Sequence, residues 1–244
     1  MSVHPPHKDY LPFFVGLDVK TPILDGTQQR YTNFDNAAST PSLKAAYNAI
    51  IEFSSYYSSV HRGTGYKSQL STYVYEQARE IVLNFFGAIP QTHTCIFVKN
   101  TTEAVNKLAR RFPFTEKRDI VLTSSMEHHS NDLPWRAVTK VVHIALLPDG
   151  RLNEDDFDAK LAYYDDRVAL VAITGASNVT GYINPIHRLA EKTHAVGAQI
   201  AIDAAQLAPH RKLDIRSLDD PSHIDFITIS GHKMCCGNLG SYFG

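Results

Sequence analysis

From residue 94 onward the sequence alternates between two periodicities, and this constrains the fold more than any single motif. Short runs rich in β-branched and aromatic residues at 94–98, 120–124, 141–145, 168–174, 199–203 and 225–229 read as strands. Helical stretches through about residue 111, around Trp135, at 155–162 and at 185–196 separate them. Strands joined through helices imply right-handed crossovers, so the expected fold class is α/β: three layers, a mostly parallel sheet with helices on both faces. Parallel strands also end along one edge, and in open sheets of this kind ligands sit beyond the carboxyl ends. Five of the six runs lead into polar clusters, so the clusters are expected to face one crevice. They are Asn100-Thr101-Thr102-Glu103, Met126-Glu127-His128-His129-Ser130-Asn131, Gly175-Ala176-Ser177-Asn178-Val179-Thr180-Gly181, Asp203-Ala204-Ala205-Gln206 and Ser230-Gly231-His232-Lys233.

The preceding residues are less periodic. Residues 1–30 are rich in proline and polar side chains and read as an extended N-terminal arm, leaving 31–244 as the main domain. A short strand at 31–34 is expected to lead through small residues into a helix with Ser39 or Thr40 as N-cap and Pro41 at the first helical position. Leu43, Ala46, Tyr47, Ile50 and Ile51 fall on one face of that helix, which ends near Tyr56-Tyr57. His61-Arg62-Gly63-Thr64-Gly65 fits either a backbone bent around something polar or an ordinary surface turn. Leu70, Tyr75, Ala78, Val82, Phe85 and Phe86 mark a second amphipathic helix closed by Gly87.

Composition matters here mainly for what it excludes. A formal charge of -1 gives no electrostatic reason to expect nucleic acid or an anionic membrane as partner. No run approaches the roughly 20 apolar residues of a membrane helix, and the proline-broken N-terminus lacks a signal-peptide core. Three cysteines, two of them adjacent as Cys235-Cys236, make no disulfide framework and fit a reducing, cytoplasmic setting.

The clusters differ in the chemistry they offer. Thr101 and Thr102 open a helix, where unpaired N–H groups and the helix dipole favour an anion such as phosphate. A carboxylate at Asp203, ending a buried strand, is costly unless it pairs with a cation or a protonated ring nitrogen. His128 offers a flat ring for stacking, Asn178 and Gln206 offer neutral hydrogen-bonding groups, and Ser230 and His232 add donors beside Lys233. A lysine at a strand end is by itself more often a solvated side chain. In a partly desolvated cleft, however, its neutral amine can form a Schiff base with a carbonyl. A phosphate cradle, a carboxylate for a ring nitrogen, a stacking ring and such a lysine are together what pyridoxal 5'-phosphate requires of a protein. A metal centre built from His128, His129, Asp203, Cys235 and Cys236 ranks well below, because the spacing matches no usual zinc pattern.

These motifs occur in an order and spacing that resembles the class V aminotransferase superfamily, most closely its cysteine desulfurase branch. The resemblance rests on Asp35-Asn36-Ala37-Ala38-Ser39, His61-Arg62-Gly63, the helix from 75 to 79, Pro134-Trp135 and the five clusters above, and it runs from about Tyr31 to the end. It implies the large domain of the aspartate-aminotransferase-like fold, with Lys233 as the Schiff-base lysine and Asp203 on the pyridine nitrogen. Gln206 and Asn178 would lie near the ring hydroxyl, and His128 would stack on the ring and share in catalysis. Thr101, Thr102, Ser230 and His232 would hold the phosphate. By the same resemblance the substrate is a small amino acid and the assembly a homodimer. Relatives carry Gly and Pro after the lysine, where this chain reads Met234-Cys235-Cys236-Gly237. The sequence ends 11 residues past Lys233 (244 minus 233), so the small C-terminal domain of relatives is expected to be absent. Two readings follow: an enzyme of this type, or a fragment or partner subunit that binds the cofactor without turnover.

Overall fold

The computed structural model describes residues 10–235, which divide into two compact units, one of residues 10–72 with 231–235 and one of 73–230. In the first unit β1 (Lys20–Pro22) and β2 (Gln28–Arg30) form an antiparallel hairpin within the stretch expected to be an arm. Helix α1 spans Lys44–Ser54, and α2 spans Tyr66–Phe85 with the unit boundary inside it. Gly87 follows α2 at a φ of +68°, the left-handed conformation expected of its closing glycine.

The second unit holds α3 (Thr101–Arg111), β3 (Ile120–Ser124), α4 (Leu133–Arg136), β4 (Lys140–Ile144), α5 (Glu154–Tyr164), β5 (Val168–Thr174), α6 (Ile186–Ala195), β6 (Gln199–Asp203) and β7 (Phe226–Thr228). Its five strands run in the order β4-β3-β5-β6-β7, and every neighbouring pair is parallel. All seven residues of β5 are buried, as a central strand covered on both faces must be. On one face Val121, Leu170, Ala172 and Ala201 pack against Val105 and Ala109 of α3 and Trp135 of α4. Helix α5 packs on β4 and α6 on β5 and β6, burying Phe157, Leu161 and Leu189. Burying a side chain such as Leu189 contributes about 1.5–3 kcal/mol, which outweighs the modest intrinsic helix propensities of these segments. The expected three-layer α/β class is the observed one.

Three expected elements differ. Residues 94–98 form no strand, and Ile96 is 71% exposed, because a ladder needs a neighbour and the segment has none among the described residues. Residues 31–34 are likewise not a strand; the extended pairing lies at Gln28–Arg30 instead. Helix α1 starts with Leu43 as its N-cap residue, and neither Ser39 nor Thr40 caps it. Thr40 is engaged elsewhere: its N–H and hydroxyl both donate to the carbonyl of His232, and its hydroxyl accepts from the N–H of Cys235. Pro41 also holds the residue before it away from helical conformation. No helix among the described residues is long and apolar enough to cross a membrane.

Candidate active site

The carboxyl edge of the five-stranded sheet gathers most of the residues singled out from the sequence. Asp203 is the last residue of β6 and only 5% exposed, with one carboxylate oxygen accepting from the N–H of Ala205 at 2.9 Å. That bond turns the chain sharply out of the sheet and leads directly to half-buried Gln206. Beyond β5, the Ser177 hydroxyl accepts from the N–H groups of Val179 and Thr180, folding a tight turn that leaves Asn178 exposed. Beyond β7, Ser230 is buried at 3% exposure.

The start of α3 is tied to the same edge. The Thr101 hydroxyl donates to the carbonyl of Ile229 at 2.9 Å across 128 residues of sequence. The helix start itself is capped: the Asn100 side chain accepts from the N–H of Glu103 at 2.9 Å, and Glu103 accepts from the N–H of Lys99 at 2.7 Å. The Lys99 N–H and the ammonium of Lys107 hold the Glu103 carboxyl below its ordinary range. Capping of this kind satisfies the N–H of Glu103 and fixes the start of the helix at Thr101.

Between β3 and α4 the chain makes a polar relay. The Ser130 N–H donates to Nδ1 of His128 at 3.1 Å, so that nitrogen is an acceptor and the neutral ring carries its proton on Nε2. The Ser130 hydroxyl lies 2.9 Å from the same Nδ1 and 2.7 Å from the Thr102 hydroxyl. Because Nδ1 can only accept, the Ser130 hydroxyl donates to it and the Thr102 hydroxyl donates to Ser130. The ring of His128 is thereby linked to the first turn of α3.

Glu127 is a member of this edge to which the sequence reading assigned no role. Burial pushes its carboxyl up to about 7, against bonds from the Ser124 hydroxyl, the N–H of Thr174 and the Asn131 amide, with a smaller push from the charge of Asp203. The Asn131 Nδ2 to Glu127 distance is 2.7 Å, and Asn131 in turn accepts from the indole N–H of buried Trp135 at 3.3 Å. The signal available in sequence was a glutamate inside an otherwise neutral cluster directly after an apolar strand.

His232 and Lys233 belong to the other unit, in a single 3-10 turn at Gly231–Lys233. Thr40 holds this turn through the bonds to His232 and Cys235 described above, and the Cys235 carbonyl accepts from the N–H of Leu43 at 2.9 Å. Cys235 has a φ of +59°, which the double tether explains. His129 neighbours His128 with ring centroids 6.3 Å apart. Cys236 lies outside the described residues.

A parallel sheet between helical layers, with a capped helix start, a buried acid and a polar relay along one edge, is the large-domain fold of aspartate-aminotransferase-like enzymes. Within that class, the family model "Aminotransferase class-V" matches residues 32–240, and the chain belongs to that family. It is 35% identical over 240 residues to a cysteine desulfurase of Haloferax volcanii, covering 94% of this chain and 55% of that one. It is 37% identical over 209 residues to a probable cysteine desulfurase of Halalkalibacterium halodurans, covering 82% and 49%. Among solved structures, the apo cysteine desulfurase of Thermococcus onnurineus NA1 superposes with a TM-score of 0.73 at 33% identity, covering 82% of this chain and 50% of that one. The chain thus spans about half the length of the relatives it matches.

Proposed function

We propose that residues 31–244 act as the cofactor-binding large domain of a pyridoxal-phosphate-dependent enzyme of the cysteine desulfurase type, taking a small amino acid, cysteine first among them, as substrate. The observation that supports this reading is the Thr101 to Ile229 hydrogen bond, which sets the start of α3, where a phosphate would bind, beside the strand end that leads to Ser230. The residues present fit the cofactor's demands. An aromatic nitrogen that must stay protonated needs a carboxylate held away from water, and Asp203 is buried at a strand end. A phosphate needs several converging donors. Since the hydroxyl protons of Thr101 and Thr102 are given to Ile229 and Ser130, and the N–H of Glu103 to Asn100, those donors would be the N–H groups of Thr101 and Thr102, joined by Ser230, His232 and the Thr102 hydroxyl once it turns from Ser130 to the phosphate.

When bound, the cofactor supplies an electron sink for the charge left at the substrate's α-carbon. The chain's own residues supply the rest. The amine of Lys233 would hold the cofactor covalently and then move the proton at the α-carbon. His128, its ring oriented by Ser130, would stack on the cofactor and present a protonated Nε2 toward the substrate. Asn178 and Gln206 would donate to the ring oxygen. A homodimer in the cytoplasm is the assembly and setting that accord with the cysteine desulfurase relatives.

Mixing the purified chain with pyridoxal phosphate is expected to produce a visible absorption band that survives gel filtration and is lost in Lys233→Ala. Adding cysteine should shift the band and release sulfide. A retained band without sulfide would favour the second reading, a domain or partner subunit that binds cofactor without turnover. No band with the native chain would sink both.

A further inference from the structure

At the opposite, amino-terminal edge of the same sheet, far in register from Asp203, lies a second cluster of chemical groups. His194 sits in the last turn of α6, while His223 and Asp225 immediately precede β7. Among the described residues these three form the one group of histidine, cysteine and carboxylate side chains close enough to share a metal ion, their ligand atoms all within 4.8 Å of one another. The side chains are 16%, 15% and 12% exposed, so the cluster is largely shielded and still reachable from solvent.

Hydrogen bonding orients both rings in the same way. Nδ1 of His194 lies 2.6 Å from the carbonyl of Pro221, and Nδ1 of His223 lies 2.7 Å from the carbonyl of Asp220. A carbonyl oxygen can only accept, so each Nδ1 carries a proton and each neutral ring presents an Nε2 lone pair. Those two Nε2 atoms face the Asp225 carboxylate at 2.9 and 3.5 Å. Lone pairs facing a carboxylate repel unless positive charge sits between them. A proton on His194 Nε2 alone makes an ion pair with the carboxylate but leaves the His223 lone pair without a partner, and protons on both rings would set two charges face to face, since the rings are stacked with centroids 4.2 Å apart and planes inclined by 19°. One divalent cation shared by both Nε2 atoms and the carboxylate removes both repulsions. The support behind the ligands is also in place: carbonyls anchor both Nδ1 positions, and Asp225 is held by the N–H of Ile200 at 2.8 Å and the amide of Gln199 at 3.1 Å.

We propose that His194, His223 and Asp225 bind a borderline divalent transition-metal ion, zinc above all, through two imidazole nitrogens and one carboxylate oxygen. Three protein ligands leave a fourth tetrahedral position for water. Zinc–nitrogen bonds of about 2.0–2.1 Å require ligand atoms roughly 3.4 Å apart, so from a spread of up to 4.8 Å the ion draws the cluster inward by up to about 1.4 Å and splays the two stacked rings until both Nε2 lone pairs meet it. It thereby clips the end of α6 to the starts of β6 and β7. Nitrogen and carboxylate donors without thiolate favour zinc, nickel, cobalt or copper over calcium or magnesium.

The test is to equilibrate the full chain with zinc chloride, remove unbound metal by gel filtration and measure bound zinc by mass spectrometry. The native chain should retain about one ion, and His223→Asn should bind at least about tenfold more weakly. Zinc should also raise the melting temperature of the native chain and leave that of His223→Asn unchanged. Equal zinc retention by both proteins, or none by the native chain, overturns the proposal. Should the variant not fold, the absorption spectrum of the native chain loaded with cobalt(II) decides. Visible bands of a four-coordinate ion without thiolate-to-metal charge transfer support the site, whereas thiolate bands would move the ion to a cysteine and overturn it.

Discussion

The carboxyl of Glu127 is held in two opposing ways, and its protonation is therefore coupled to folding. Burial favours the neutral acid and lifts it from the ordinary 4.5 to about 7, although three donors surround it. In the unfolded chain it ionises near 4.5. Between these values the native state keeps a proton that the unfolded state has lost, so stability attached to this group is complete below about pH 4.5 and declines as pH rises to about 7. The full decline is bounded at about 3 kcal/mol. Glu127→Gln keeps the shape, lets the amide oxygen accept from Asn131 and removes the ionisation. Urea unfolding at pH 5 and pH 8 should show the variant close to the native protein at the lower pH and gaining on it by up to about 3 kcal/mol at the higher. A difference that does not change with pH would mean that this carboxyl is not proton-linked to folding.

At the scale of elements, the start of α3 is where local sequence and long-range structure meet. Asn100→Ala removes the side chain that accepts from the N–H of Glu103 and should cost about 1 kcal/mol of stability with little effect beyond the helix. Thr101→Val keeps the shape but leaves the Ile229 carbonyl without that donor, a cost of about 1–3 kcal/mol. If the helix start is part of the cofactor site, Thr101→Val should also weaken pyridoxal-phosphate binding by about tenfold or more, whereas an effect on melting alone would separate the two roles. These cases also mark what a sequence can disclose. The helix at 101–111 was legible because Asn100 and Glu103 announce a cap locally, and β3, β5 and β6 because each is an apolar run bounded by turn residues. Residues 94–98 carry the same signal and form no strand, since pairing depends on a neighbour that a local window does not contain. Thr40 was legible only as a helix cap, yet its partners are His232 and Cys235, 192 and 195 residues away. Of the candidate site residues, those at strand ends followed from parallel topology alone. The elevated Glu127 carboxyl did not, because its cause is the packing of three strand ends around one side chain. The cluster of His194, His223 and Asp225 was missed for a similar reason: its members lie up to 31 residues apart and match no short metal motif.

For the whole molecule, the most telling surface is an apolar one. Val74, Ile81 and Phe85 of α2 are spaced seven and four residues apart, which puts them on one helical stripe, and they are 40%, 66% and 50% exposed. The stripe continues onto the neighbouring segment, where the ring of Tyr75 meets the edge of Phe97 at 5.4 Å and Ile96 is 71% exposed. Exposed apolar side chains aligned in this way are characteristic of an interface. A formal charge of -1 offers almost no repulsion between copies. We therefore expect sedimentation velocity to show self-association that grows with concentration. Replacing Ile81, which is 66% exposed, with glutamate should give a monomer that melts within about 2 °C of the native chain, because this side chain mostly faces solvent in the single chain and glutamate suits a helix. A native chain that stays monomeric at every concentration would rule out this stripe as a self-association surface. A variant that still associates would shift the interface elsewhere on the molecule.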